Sequence, residues 1–167
     1  MAWIVIIASV ISVWILSLFK LLLFSRFSFS KHFNHNCRAL QKRNVLLVIA
    51  HPDDESMFFT PAINFLTSRG HNVQILCLSV GDADGKGHIR KQELFQACVA
   101  LKVPMQQVKI VNHPDLQDGF GKVWNHSLLA NIIEEEITIH CINMVITFDN
   151  YGVSGHCNHR DVHYGVW

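Results

Sequence analysis

The stretch that most constrains this fold reads NVLLVIAHPDDE and spans residues 44–55. Its first part is an apolar, largely β-branched run, which is typical of a strand buried on both faces of a parallel sheet. Pro52 ends this strand because proline has no N–H for the hydrogen-bonded ladder, and the acidic residues after it suit the first turn of a helix. Four ionisable side chains therefore lie at the carboxyl end of a buried strand, where open α/β sheets bind their ligands.

His51 and Asp54 are three residues apart across this turn, so both side chains can face one point. An imidazole and a carboxylate are suitable ligands for a divalent ion such as zinc, which in catalytic sites keeps one position open for water. Asp53 could then act as a base toward that water. The alternative is that Asp53, Asp54 and Glu55 only form a favourable amino terminus of a helix.

A second polar segment follows another apolar strand, which is predicted over residues 143–149. Gly152 and Gly155 allow the backbone turns that the next loop needs, and His156 and His159 come after them. The HxxH spacing places both imidazoles on one side of a turn, although this spacing alone is a weak signal in a chain with eleven histidines. Because strands of this kind can flank the switch point of a sheet, we expect both polar segments to form one site.

Strand-like and helix-like segments alternate after residue 44, which predicts an α/β fold with a doubly wound, Rossmann-like parallel sheet. We expect further strands over residues 72–80 and 108–112, and helices over residues 55–68, 88–101 and 126–140. Within the last helix, Glu134-Glu135-Glu136 predicts a solvated face. The chain has no GxGxxG loop, so nothing supports a dinucleotide-binding role.

The amino-terminal residues 1–24 are almost entirely apolar, and residues 1–19 carry no charge. A membrane-spanning helix needs about 20 such residues, so we expect a transmembrane anchor. A signal peptide is the competing interpretation, but the basic n-region and the small-residue cleavage site are missing. Residues 25–43 form a basic linker, with no acidic residue before Asp53, and the positive-inside rule then places the domain of residues 44–167 in the cytoplasm.

The net charge of +1 gives no indication of nucleic-acid binding. The five cysteines are odd in number and widely spaced, which fits a reducing compartment. Cys77, Cys98 and Cys141 lie in apolar contexts and are predicted to be buried thiols. Cys157 lies between the two loop histidines, but we do not expect it to be a metal ligand.

The segments AHPDDE at residues 50–55 and SGHCNH at residues 154–159 together resemble the LmbE-like family of zinc-dependent N-acetylglucosamine deacetylases. The likeness runs from about residue 44 to residue 159. It implies that His51, Asp54 and His159 bind the metal. It also implies that Asp53 is the general base and that His156 stabilises the transition state or assists proton transfer.

Two further positions match the family, one in the segment GHIRKQEL at residues 87–94 and one after the third strand. The resemblance implies that Arg90 and Asp115 contact the sugar hydroxyls or the phosphate of the substrate. The alternatives are that Arg90 forms a helix-surface pair with Glu93 and that Asp115 is a turn residue beside Pro114.

The resemblance is strongest to the members that act in GPI-anchor synthesis. It implies hydrolysis of the N-acetyl group of N-acetylglucosaminyl-phosphatidylinositol at the endoplasmic reticulum membrane, with the catalytic domain facing the cytoplasm. A membrane anchor fits such a glycolipid substrate because it holds the site at the bilayer. Two alternatives stay open, namely a deacetylase of another N-acetylglucosamine-containing substrate and a non-catalytic membrane-bound homologue that acts as a binding partner or regulator.

Family members continue with another helix and more sheet after the segment that ends here at Trp167, eight residues beyond His159. We therefore expect the α/β domain to be incomplete at its carboxyl end. A catalytic constellation depends on the residues that support it, so we also expect this chain to be weakly active or inactive by itself.

Overall fold

The computed structural model describes residues 11–12, 14–17, 20 and 41–167. The chain divides into two compact units, Met1–Gln41 and Lys42–Trp167. In the first unit, residues 11–12, 14–17 and 20 are helical with exposed side chains. None of the helices described is both long enough and apolar enough to cross a bilayer. Most of the predicted anchor (1–24) and linker (25–43) lies outside the described residues, so both stay predictions.

The second unit alternates strands and helices. Its strands are β1 (Asn44–Ile49), β2 (Asn72–Cys77), β3 (Val108–Ile110) and β4 (Met144–Ile146). Its helices are α1 (Thr60–Ser68), α2 (Gly87–Ala100), α3 (His126–Ile139), α4 (Gly152–Gly155) and α5 (Cys157–Val166), with a π-helical turn at Glu55–Phe59 and a 3-10 turn at Met105–Gln107. The predicted elements are present, and the differences lie at their ends.

The four strands form one parallel sheet in the order β3-β2-β1-β4. The predicted α/β class with a parallel sheet is therefore confirmed. The chain moves outward from β1 to β2 and β3, and then crosses back to place β4 on the other side of β1. This change of direction leaves a crevice at the carboxyl ends of β1 and β4, as expected for the switch point of such a sheet.

β1 lies at the centre of the core, and its residues from Val45 to Ile49 are at most 2 % exposed. The apolar run is thus buried on both faces, as its sequence predicts. Helix α5 packs closely on α3, because a Cβ at Gly165 would lie only 2.5 Å from Leu129 Cβ. This close approach holds the helix that follows β4 against the body of the domain.

The helix predicted from residue 55 begins instead as the π-helical turn, and α1 proper starts at Thr60. Pro61 explains the change, because it lies in the first turn of α1 and has no N–H to donate to the preceding turn. The hydroxyl of Thr60 donates to the backbone oxygens of Glu55 and Ser56, which gives these carbonyl groups a partner.

Two predictions about burial are wrong. Glu136 is 4 % exposed instead of solvated, and its carboxylate pairs with Lys109 and lies 3.4 Å from His140 Nε2. A buried carboxylate needs such partners because desolvation of an unpaired charge is costly. Cys141 is exposed instead of buried, because it lies with a positive φ of 48° in the turn between α3 and β4.

Candidate active site

The turn after β1 holds the carboxylate of Asp54 against the end of the strand. Asp54 Oδ2 accepts hydrogen bonds from the backbone N–H groups of Ala50 at 3.1 Å and His51 at 2.8 Å. Asp53 has a φ of 118°, which residues other than glycine rarely adopt, and its N–H donates to the buried Glu55 carboxylate at 3.0 Å. This strained turn directs Asp54 inward, whereas the Asp53 side chain stays 52 % exposed.

The loop after β4 is held in shape by Asp149. The Asp149 backbone oxygen accepts a hydrogen bond from Gly152 N at 3.0 Å, and its Oδ1 accepts one from Val153 N at 3.0 Å. The second of these bonds is the main reason why the pKa of Asp149 is lowered. Val153 has φ 61° and ψ −54°, so these bonds stabilise a strained turn that leads the chain into α5.

Gly152 brings this loop against His159. A Cβ at Gly152 would lie 2.7 Å from His159 Cβ, and its φ of +70° also favours glycine. His159 Nδ1 lies 3.0 Å from Gly152 O. Because a carbonyl oxygen can only accept, Nδ1 carries the proton, and in a neutral ring the lone pair is then on Nε2. His159 Nε2 lies 3.2 Å from Asp54 Oδ1. Burial lowers the pKa of His159, but the hydrogen bond and charge of Asp54 outweigh this effect and raise it.

His51 faces the same carboxylate from the other side. Its Nε2 lies 3.0 Å from Asp118 Oδ1 and 3.2 Å from Asn158 Oδ1, while its Nδ1 lies 3.8 Å from Asp54 Oδ2. Because the Asp118 carboxylate only accepts, Nε2 carries the proton, and a neutral ring then has its lone pair on Nδ1, the nitrogen nearer to Asp54. The hydrogen bond from His51 is also the main reason why the pKa of Asp118 falls to about 2. His51 Nδ1 and His159 Nε2 therefore both lie near the carboxylate of Asp54.

His156 completes a group of three imidazoles. Ligand atoms of His51, His156 and His159 all lie within 4.8 Å of one another, which is the spacing of a possible metal site. His156 Nδ1, however, accepts a hydrogen bond from Asn158 N at 3.3 Å, so a neutral ring carries its proton on Nε2. Burial and the charges of His51 and His159 lower the pKa of His156, which favours this neutral form.

Arg90 reaches the site from α2 and contacts Asp53. Its Nη2 atom donates to Asp53 Oδ2 at 2.8 Å and to Pro52 O at 2.8 Å, and its Nη1 atom donates to Asp118 Oδ2 at 3.1 Å and to Gly81 O at 2.8 Å. The guanidinium group therefore lies in the site instead of pairing with Glu93 along the helix surface. Burial raises the pKa of Asp53, although Arg90 opposes this shift.

The structure brings six of the predicted site residues together, namely His51, Asp53, Asp54, Arg90, His156 and His159. Asp115 is different, because its side chain is 74 % exposed and its carboxylate lies 3.8 Å from His113 Nδ1. Its predicted role in substrate binding stays a prediction.

Two residues that contact His51 were not predicted. Asp118 lies three positions after Asp115 in a loop with several Asp and Gly residues, and Asn158 lies inside the HxxH segment. The only sequence feature that could have predicted Asp118 as a site residue was its position after a strand, at the carboxyl edge of the sheet. Asn158 bonds to both His51 and the backbone oxygen of Lys122, so it links the HxxH segment to the loop before α3.

The chain is similar to known de-N-acetylases. The family model described as "PIG-L: GlcNAc-PI de-N-acetylase" matches residues 46–167. A probable N-acetylglucosaminyl-phosphatidylinositol de-N-acetylase of Schizosaccharomyces pombe is 44 % identical over 121 residues, which cover 72 % of this chain and 49 % of the relative. The N-acetylglucosaminyl-phosphatidylinositol de-N-acetylase of Bos taurus is 42 % identical over 114 residues, which cover 68 % of this chain and 45 % of the relative.

A solved structure shows the same fold. The N,N'-diacetylchitobiose deacetylase from Pyrococcus horikoshii superposes with a TM-score of 0.64 and 17 % identity, covering 84 % of this chain and 56 % of that chain. The chain spans about half the length of the curated relatives it matches. The resemblance seen in the two sequence segments is nevertheless confirmed by the family match over most of the second unit. This chain belongs to the PIG-L family of GlcNAc-PI de-N-acetylases.

Proposed function

We propose that this chain carries the metal and proton chemistry of a deacetylase that hydrolyses the N-acetyl group of N-acetylglucosaminyl-phosphatidylinositol, a step of GPI-anchor synthesis. The observation that carries the proposal is the arrangement around Asp54, whose carboxylate lies 3.8 Å from His51 Nδ1 and 3.2 Å from His159 Nε2. The other nitrogen of each ring donates to an acceptor, Asp118 for His51 and Gly152 O for His159. Metal-binding histidines are typically oriented in this way.

The donor set fits zinc. Two imidazoles and one carboxylate are a ligand set that catalytic zinc sites use, and we assign it to His51, Asp54 and His159. The alternative set replaces Asp54 by His156. The hydrogen bond from Asn158 N to His156 Nδ1 argues against it, because Nε2 then carries the ring proton and cannot bind a cation. When bound, zinc would supply Lewis-acid chemistry by polarising the amide carbonyl and making a water molecule more acidic.

Asp53 is the proposed general base. It directly precedes Asp54, it is half exposed, and burial raises its pKa, which brings a carboxylate closer to the range that base catalysis needs. Its bond to Arg90 at 2.8 Å keeps the carboxylate in place beside the metal ligands. In this role Asp53 takes a proton from the attacking water and later delivers it to the departing amine.

His156 is the proposed donor to the oxyanion. The family resemblance implied that His156 stabilises the transition state or assists proton transfer, and the lowered pKa of His156 favours a neutral ring. A neutral ring with its proton on Nε2 can still donate a hydrogen bond to the negative charge that develops on the carbonyl oxygen. The ring lies between the metal-ligand cluster and Phe120, whose ring centroid is 4.6 Å away.

The substrate contacts and the cellular place belong to the same proposal. Arg90 and Asp115 are proposed to bind the sugar hydroxyls or the phosphate, and the geometry supports Arg90 more directly because it contacts the base. The apolar residues 1–24 are proposed to anchor the chain in the endoplasmic reticulum membrane, with the basic residues after them and the α/β domain on the cytoplasmic side.

The test is acetate release. The chain is reconstituted in lipid vesicles that contain N-acetylglucosaminyl-phosphatidylinositol, and acetate is measured with zinc, after chelation and after zinc is added back. We expect chelation to stop the release and zinc to restore it. Asp53→Asn should abolish acetate release while the metal stays bound. His88→Ala is the control, because His88 is exposed and lies outside the site, and it should leave acetate release unchanged. This chain is expected to be weakly active or inactive by itself, so the same assay is run on a form extended at its carboxyl end. Zinc binding without acetate release by both forms would contradict the proposal and favour a non-catalytic role.

A further inference from the structure

The sequence His-Pro-Asp occurs twice in the chain, and each copy forms a four-residue turn after a strand. The first turn runs from His51 to Asp54, where Asp54 N donates to His51 O at 3.4 Å. The second runs from His113 to Leu116, where Leu116 N donates to His113 O at 3.0 Å. Both turns have proline second and aspartate third, so their local sequences favour the same conformation.

The two turns differ in the peptide group at their centre. Asp53 has a φ of 118°, and a positive φ at the third position is characteristic of a type II turn, which usually has glycine there. Asp115 is not among the described non-glycine residues with a positive φ, so its turn is of type I. A flip of the central peptide group converts one type into the other. Because the same three residues form both turns, something outside the local sequence must select the strained turn at Asp53.

Two charged side chains hold the central peptide group of this strained turn. The Asp53 N–H donates to Glu55 Oε2 at 3.0 Å, and Arg90 Nη2 donates to Pro52 O at 2.8 Å. The Asp53 N–H and the Pro52 carbonyl are the donor and the acceptor of one peptide group. After a flip, the carbonyl oxygen would face the carboxylate and the N–H would face the guanidinium group, so both bonds would be lost. These partners therefore select the strained orientation.

Glu55 can act only through the backbone of its neighbour. Its side chain is 1 % exposed, so it does not reach the surface where a substrate would bind. Its second oxygen, Oε1, accepts from Ser56 Oγ at 2.6 Å, which fixes the carboxylate in the orientation that the Asp53 N–H needs. Burial of a carboxylate is costly unless hydrogen bonds compensate for it, and the strained turn supplies one of these bonds.

We propose that Glu55 is a positioning residue for Asp53, an inference that rests on the proposed function, in which Asp53 is the general base. By holding the Asp53 N–H, Glu55 keeps Pro52 O turned toward Arg90. The same Arg90 Nη2 atom donates to Asp53 Oδ2 at 2.8 Å, so the guanidinium group that the turn holds also fixes the base. Asp54 is fixed separately by its own bonds to the end of β1, so loss of Glu55 should affect the base and spare the metal ligand.

Nuclear magnetic resonance of the full chain in detergent micelles tests the proposal. The chain has four prolines, and only Pro52 and Pro114 precede an aspartate. Isotopic labelling of the proline carbons and the aspartate nitrogen therefore selects two amide signals, those of Asp53 and Asp115. The nuclear Overhauser effect between the proline Hα and the aspartate N–H is strong in a type II turn and weak in a type I turn. The Asp115 signal thus serves as an internal control.

Variants of two buried glutamates separate positioning from folding. Glu55→Ala removes the acceptor, whereas Glu55→Gln keeps an amide oxygen for the Asp53 N–H, because the Ser56 hydroxyl can either donate or accept. Glu136→Ala is the matched control, since Glu136 is 4 % exposed and pairs with Lys109 outside the site.

We expect Glu55→Ala to weaken the Overhauser effect at Asp53 to the level at Asp115 and to keep zinc bound. In whichever of the short and extended forms releases acetate, it should lower kcat about 100-fold at unchanged KM, because small misplacements of a catalytic group cost large factors in rate. Glu55→Gln should restore both the Overhauser effect and kcat. Glu136→Ala should leave the turn at Asp53 unchanged.

Equal Overhauser effects at Asp53 and Asp115 in the unaltered chain would overturn the proposal, and this outcome requires no variant to fold. A strong effect at Asp53 that persists in Glu55→Ala would also overturn it, as would equal loss of zinc binding in Glu55→Ala and Glu55→Gln. The turn is measured without substrate, so a strained turn that depends on Glu55 in a chain without acetate release contradicts only the proposed activity. Acetate release that Glu55→Ala leaves unchanged contradicts only the positioning role.

Discussion

Asp54 Oδ1 lies 3.2 Å from His159 Nε2, so the turn after β1 and the first part of α5 meet at one contact between a carboxylate and an imidazole. Both side chains are almost completely buried, with 2 % and 5 % of their surface exposed. A buried carboxylate requires partners, which are here the N–H groups of Ala50 and His51 and the ring of His159. The two halves of the site are thus joined at Asp54.

The first prediction separates ligands from the base. His51→Ala, Asp54→Ala and His159→Ala should each remove zinc binding, because each deletes one of three protein ligands. Asp53→Ala should keep the ion and lose activity. Metal content of the purified, folded variants and calorimetric titration with zinc measure this. If Asp53→Ala loses the ion while Asp54→Ala retains it, the assignment of these neighbours is reversed.

The second prediction concerns Asp118. Asp118→Ala should lower zinc affinity about 10- to 100-fold, because it removes the closer and charged one of the two acceptors of His51 Nε2–H, and Asn158 Oδ1 alone holds the ring and its tautomer less firmly. Asp118→Asn should recover part of this loss, because its amide oxygen can still accept. The matched control is Asp115→Ala, which removes an exposed carboxylate from the same loop. Equal zinc affinity of the Asp118→Ala and Asp115→Ala variants would contradict the positioning role.

The third prediction concerns Gly152. Gly152→Ala should weaken zinc binding and lower the free energy of unfolding, because the new Cβ would lie 2.7 Å from His159 Cβ. Gly85→Ala is the control, since Gly85 has a similar φ of +71° but no neighbouring atom within 4 Å of the new Cβ. Gly85→Ala should lower the free energy of unfolding by about 1 kcal/mol, because of its positive φ alone, and should leave zinc binding unchanged. Denaturant unfolding and zinc titration of both variants check this, and equal effects would show that the close approach to His159 is unimportant.

The fourth prediction concerns thiol reactivity. Burial raises the pKa of Cys98 to about 12 and that of Cys77 well above its ordinary value, so both thiols stay protonated far above neutral pH. Cys141 is exposed and should react with a maleimide at pH values of about 8, whereas Cys77 and Cys98 should react only after denaturation. Peptide mapping by mass spectrometry measures this, with Cys141→Ser as the control. Equal rates for Cys98 and Cys141 in the native chain would contradict it.

The cluster of histidines and carboxylates could be predicted because its residues are close together in sequence and directly follow buried strands. His51 and Asp54 lie within one turn, and His156 and His159 lie within another. Periodicity was sufficient to place both strands that carry these turns. The switch-point rule then predicted that the turns meet, and the strand order confirms it.

The missed residues act over long distances without a local pattern. Asp118 reaches His51 from the loop after β3, and nothing distinguishes it in sequence from its neighbour Asp115. Glu136 looked like part of a solvated run, but Lys109 on the edge strand β3 allows its burial. Such pairings depend on which side chains face each other across the fold, and spacing along one element does not report this.

The pairing of β4 with β1 has a consequence for how the chain folds. β4 contacts β1 at three register positions, from Val45↔Met144 to Leu47↔Ile146, and this pairing joins segments far apart in sequence. During synthesis His51 and Asp54 emerge with the first strand, whereas His159 emerges only after β4. Because a zinc ion would bind both segments, its binding free energy would add to this short pairing and retain the last strand. Zinc should then slow hydrogen exchange in β4 and leave the β2–β3 amides unchanged, so a bound ion would act as a cross-link between the two ends of the sequence that form the site.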